Sequence, residues 1–133
     1  MSFKSLCDAL EKEIQDAYIA GVTVIEAERL AGQFLHAQIK VSEELKKADL
    51  DSRMRKTGLK AVRAAIYMEA ATKDAKKPSD VMLEAIVNQN EVVQNEQNSF
   101  DAAEVERDDL ERYYNIFREG HIYFRGISKG KFE

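Results

Sequence analysis

The sequence has no tryptophan, one proline (Pro78), one cysteine (Cys7), two histidines and six glycines in 133 residues. So few turn formers, beside abundant Ala, Glu, Lys, Leu and Gln, disfavour sheets and predict a chain that is almost wholly helical. A single cysteine excludes an internal disulfide and a thiolate metal cluster, and fits a reducing compartment. The longest nearly apolar run, AYIAGVTVI at 17–25, falls far short of the roughly 20 residues that span a bilayer. The opening MSFKSLCDALEKE has no signal-peptide core. The expected location is therefore cytoplasmic, with no membrane partner.

Catalytic chemistry is also sparse. His36 and His121 lie in no ExxH, HExxH or HxH spacing, so no metal site is expected. His36 is expected to be a partly buried or interfacial imidazole, and His121 to serve either tail packing or nucleic-acid contact. No GxxxxGK[ST] or GxGxxG is present, and Gly126-x-x-x-Gly130-Lys131 has no following helix to cradle a phosphate. Glu43-Glu44 and Asp108-Asp109 are sequence neighbours that diverge around a helix, which suits solvation. The chain is not expected to be an enzyme or to hold a cofactor.

What is present, 44% hydrophobic and 33% charged residues, is the composition of one folded helical domain. Leu6, Ala9, Leu10, Ile14, Ala17 and Tyr18 recur at helical spacing and predict a first helix over 1–20 that ends at Gly21. Thr23-Val24-Ile25-Glu26 reads as a capping box opening a long helix over 23–76. Its stripe is Leu30, Phe34, Ala37, Val41, Leu45 and Ala48, with a break conceivable at Asp51-Ser52 or Thr57-Gly58. Lys-Lys-Pro78-Ser79 ends that helix and starts a third over 79–119. The rest, 120–133, reads as a glycine-containing aromatic and basic tail.

The expected fold is all-α: long antiparallel helices in a helical hairpin or three-helix arrangement, with a short C-terminal segment. Tyr113, Tyr114, Phe117, Ile122, Tyr123, Phe124 and Phe132 crowd that end. Such a cluster docks within the protomer or on a neighbour. All but Phe132 are the expected self-association residues of a homo-oligomer.

The net charge of −4 hides segregation. Residues 53–77 sum to +6 and residues 78–117 to −8. On a helix at about 100° per residue, Arg53, Lys56, Lys60, Arg63 and Tyr67 share one arc. Met54, Gly58, Leu59, Ala61, Val62, Ala65, Ile66 and Met68 take the other side, as an apolar face that must be buried. Arg55 points toward that apolar side. The cations forgo the i,i+4 acid partners that limit repulsion on surface helices. Their anion is either a phosphate backbone, with Tyr67 stacking on an unpaired base, or the chain's own acidic third helix.

Leu59-Lys60-Ala61-Val62-Arg63 followed by Tyr67 is similar to the basic helix of the UvsY-type recombination mediators of bacteriophages. The Leu110–Phe117 helix with Gly120-His121-Ile122-Tyr123-Phe124-Arg125 resembles that family's C-terminal end. Val62 separates Ala61 from Arg63 where the family's cations lie closer together, and the tail lacks the family's usual Ile-Lys run. The resemblance implies a small helical protein that binds single-stranded DNA, with Lys60 and Arg63 on phosphates. It also implies self-association through the C-terminal part, and help in loading a RecA-like recombinase onto strands covered by single-strand-binding protein. The competing expectation is a helical adaptor between proteins, such as a phage assembly factor or an inhibitor of a host protein, with no nucleic acid involved.

Overall fold

A computed structural model of the chain describes residues 2–130. Expectations that fall on Lys131, Phe132 and Glu133 lie outside them. The described residues form four helices and no strand: α1 (Phe3–Ala20), α2 (Val24–Thr72), α3 (Asp80–Gln89) and α4 (Glu91–Ser128). The all-α class is as expected.

Local capping sets most of the boundaries. The Ser2 hydroxyl accepts from the Ser5 N–H at the start of α1, and Gly21, at φ +75°, ends that helix. Thr23 Oγ1 accepts from the Glu26 N–H at 3.2 Å, which is half of the expected box; the Glu26 carboxylate lies toward Arg29 instead. Ser79, after Pro78, caps α3 by accepting from the Met82 N–H.

No break interrupts α2 at Asp51-Ser52 or at Thr57-Gly58. Asp49 and Asp51, free to cap a new helix start, instead bind Arg53 and Arg55 one turn on, each at 3.0 Å. Such i,i+4 pairs support the helix in which they lie.

Three boundaries differ from expectation. α2 ends at Thr72 rather than at 76. The third helix is divided at Asn90, whose backbone is extended (φ −67°, ψ 128°) and whose Oδ1 accepts from the Val93 N–H at 3.1 Å. Asparagine is among the best N-caps, and here it exchanges helical backbone for a capped start. Beyond Gly120 the chain is helical to Ser128 rather than an irregular tail. Leu110, Tyr113, Phe117, Gly120 and Phe124 are all buried and continue one inward stripe at three- and four-residue steps. That burial outweighs the roughly 1 kcal/mol cost of a helical glycine.

The chain divides into two compact units. The first, 1–46 with 108–133, contains α1, the start of α2 and the end of α4. Its core is Cys7, Ile14, Leu30, Phe34, Val41, Tyr113, Phe117 and Phe124, with alanines between. Phe34 stacks on Phe117 at 6.0 Å and on Phe124 at 5.7 Å; Phe117 stacks on Tyr113, and Phe124 on Tyr18. At Gly120 the packing leaves no room for a side chain, since a Cβ there would stand 2.9 Å from Ile14 Cδ1.

The second unit, 47–107, holds the end of α2, all of α3 and the start of α4. Leu59, Val87 and Val93 form its central cluster, with Val62, Ile66, Tyr67 and Phe100 half-buried around it. Leu83 and Ala103 are also buried. Of the apolar face expected to be buried on α2, only Leu59, Val62, Ile66 and in part Gly58 face inward. Met54, Ala61, Ala65 and Met68 are exposed. α3 and α4 cover a narrower arc of α2 than its apolar residues occupy.

Candidate nucleic-acid interface

α2 runs unbroken through the basic segment, so the arc expected for Arg53, Lys56, Lys60, Arg63 and Tyr67 holds. What that arc meets changes along its length. The turn at 73–79 returns α3 antiparallel to α2, and Asp80, Glu84 and Asn88, four residues apart, come to face Tyr67 and Arg63. Tyr67 donates its hydroxyl to Asp80 at 3.2 Å. Arg63 donates to Asn88 Oδ1 at 3.0 Å and reaches Glu84 at 3.5 Å. Partial burial of the ring, then the Asp80 charge and its hydrogen bond, push the Tyr67 phenol up from its ordinary range. The half-buried ring rests on the Leu59 cluster with its hydroxyl engaged by Asp80.

The other end of the arc is open. Arg53 is exposed and pairs within its own helix with Asp49. Lys56 and Lys60, one turn apart, are exposed, and neither has an ion-pair partner among the described residues. Arg55 lies off the arc and is taken by Asp51. Apart from Asp49 on α2 itself, the acids engaged by the stripe come from the short helix α3. On α4, Asp101 accepts from Gln97 and Glu104 pairs with Arg107.

Two further features of this unit were not singled out from the sequence. Lys73, Lys76 and Lys77 are all exposed in the connection between α2 and α3, where their charge was read only as a helix-end signal. Beside Arg63, a polar groove of about 330 Å³ is lined by Asn88, Val93, Gln94, Gln97 and Asn98. The amide-rich run 88–98 was its only trace.

The expected self-association residues divide as well. Tyr113, Phe117 and Phe124 are buried in the first unit's own core. Tyr114 and Tyr123 are half-buried, and Ile122 is exposed. Tyr123 packs edge-on against Tyr18 at 4.6 Å. Most of the aromatic cluster is thus spent within the protomer. Tyr113 donates its hydroxyl to Asp8; burial, that bond and the Asp8 charge push its phenol up to about 12. Burial and then Asp8 push the Cys7 thiol up to about 11, which suits a packing residue better than a nucleophile.

His121 Nδ1 bonds the Ala31 carbonyl at 2.8 Å, a packing role. His36 is exposed rather than partly buried, at the edge of an apolar recess lined by Phe3, Leu6, Leu10, Val41 and Phe117. Among the described residues no group of three or more His, Cys, Asp and Glu is placed to hold a metal ion. Among the described residues no helix is long and apolar enough to cross a membrane. Comparison with protein-family models, curated proteins and solved structures gives no match to this chain.

Proposed function

We propose that this chain is a non-enzymatic accessory protein that binds single-stranded DNA along the open half of the α2 stripe. As its resemblance to the phage mediators implies, it would assist a RecA-like recombinase on strands covered by single-strand-binding protein, in a host cytoplasm. The observation that carries the reading is the pair Lys56 and Lys60, exposed and unpaired one turn apart beside Arg53. Uncompensated cations at that spacing match a phosphate backbone better than they match each other. Arg63 and Tyr67 leave the binding set and become residues that fasten α3 to α2.

Three single-strand phosphate contacts give a salt slope near −2, so affinity for an oligothymidylate should fall roughly 20-fold between 50 and 200 mM salt. Fluorescence anisotropy measures this directly. Lys56→Ala with Lys60→Ala should flatten the slope by about 1.4 at unchanged helicity. Absence of binding at 50 mM salt, or a slope that ignores the double variant, would sink the proposal.

The internal use of Arg63 and Tyr67 favours a second reading, a helical adaptor that meets an acidic protein surface and no nucleic acid. That reading expects no oligonucleotide binding at either salt concentration.

A further inference from the structure

Among the exposed residues of α2 in the second unit, six fall on one strip. Leu50, Met54, Thr57, Ala61, Ala64 and Met68 follow one another at steps of four, three, four, three and four residues, and all are exposed. Leu50 is 60%, Met54 65% and Met68 59% accessible. They lie on the side of α2 opposite Ser52, Leu59 and Ile66, which face the unit's interior. An alternating 4-3 repeat keeps a seam facing a second helix of the same pitch, which a lone surface helix has no reason to preserve. The seam has a defined beginning, because the preceding positions in register are Glu43 and Lys47. Thr57 can be buried without cost to its hydroxyl, which already donates to the Arg53 carbonyl at 3.1 Å.

The residues flanking the seam identify what covers it. One flank carries Arg53 and Lys60. The other carries Asp51 and, over Gly58, the Glu96 carboxylate, whose Oε2 lies 3.9 Å from where a Gly58 Cβ would stand. Arg53 is held by Asp49 and Asp51 by Arg55 within α2, so the edge charges without an ion-pair partner among the described residues are Lys60 on one flank and Glu96 on the other, opposite in sign. A second copy laid parallel and in register sets Arg53 against the position five residues on in its neighbour, Gly58 with Glu96 above it. Reversing one helix sets basic edge on basic edge, with Lys60 near its own counterpart. Edge charges of this kind select partner and orientation in paired helices.

We propose that the chain self-associates as a parallel pair through the Leu50–Met68 seam of α2, and not through its C-terminal aromatics. Small Ala61 and Ala64 permit close approach of the two helices, while Leu50, Met54 and Met68 supply the apolar contact. The seam residues are not those assigned to nucleic acid, but Arg53 and Lys60, which the proposed DNA contact also uses, flank it.

Light scattering on the full chain at roughly 100 µM, above the dissociation constant of even a modest pair, should give twice the 15.1 kDa chain mass. Ala61→Glu puts a charge on an already exposed position, so the helical circular dichroism should persist while dimerisation weakens at least about tenfold. Under mild oxidation Ala61→Cys should cross-link to itself, since Cys7 is buried and does not compete. A monomer at that concentration, or an oligomer whose mass survives Ala61→Glu, overturns the proposal. A dimer that Ala61→Glu breaks but Ala61→Cys does not link overturns its parallel register.

Discussion

The two units share α2 and α4 and place their aromatic side chains differently. In the first, Phe34, Tyr113, Phe117 and Phe124 are turned inward and stacked. In the second, the core is aliphatic, the aromatics Tyr67 and Phe100 are only half-buried, and Leu50, Met54 and Met68 face out. A helix that hides its aromatic stripe needs nothing further, whereas one that shows a spaced apolar strip beside free lysines is equipped for partners. On the two proposals made above, recognition falls to the second unit, although the first also exposes Ile19, Ile25 and Ile39.

The sharpest way to break this contrast is to empty each core at its centre. Phe34 is fully buried between Phe117 and Phe124, and Phe34→Ala should cost about 3–5 kcal/mol, because a ring-sized hole among stacked rings closes poorly. Leu59 is 7% exposed among half-exposed neighbours that can collapse toward it, so Leu59→Ala should fall near the low end of the range, about 2 kcal/mol. Urea unfolding of both variants measures the difference. Equal costs would mean that the second core is as tightly built as the first.

A smaller effect separates the units by pH. The Tyr113 phenol is raised to about 12 and the Cys7 thiol to about 11, from ordinary values of 10.0 and 9.0. For such raised groups the unfolded chain gives up its protons first. Their contribution is therefore whole below pH 9 and is lost as pH climbs toward 12. Alkaline unfolding followed by hydrogen exchange or near-ultraviolet dichroism should show the first unit weakening across that window. Tyr113→Phe should remove the part that lies between pH 10 and 12. Second-unit amides that open first over the same window would contradict the assignment.

The sequence-based reading was good where the signal is local and poor where it depends on neighbours. Gly21, Thr23 and Pro78-Ser79 act within a turn of themselves, and the boundaries they mark lie where expected. Asn90 acts just as locally, but it sits among Asn88, Gln89, Gln94 and Asn95, so nothing in the sequence said which amide would cap. The helical end of α4 was hidden by Gly120 and Gly126; at Gly120 the reward for burial comes from Ile14 and Phe34, which are distant in sequence. On α2 the angular positions of the cations followed from helical geometry alone. Which of them stay free depended on where the turn at 73–79 delivers Asp80, Glu84 and Asn88. How wide an apolar arc becomes covered depended on the number of helices around it.

The smallest predicted effect concerns the join between α3 and α4. Asn90 Oδ1 accepts from the Val93 N–H, and the Asn90 carbonyl accepts from the Gln94 N–H at 3.0 Å. Asn90→Ala keeps the second bond and removes the first, leaving an N–H of the half-buried first turn without its acceptor. The cost should be about 1 kcal/mol. Asn90→Asp should recover most of it, because a carboxylate at that place still accepts and also opposes the positive end of the α4 dipole. Since Val93 belongs to the central cluster of the second unit, the loss in Asn90→Ala should appear as faster amide exchange at 91–94, with the Phe34 stack in the first unit unaffected. Equal exchange changes in both units would show that the cap at Asn90 is felt far beyond the helix it starts.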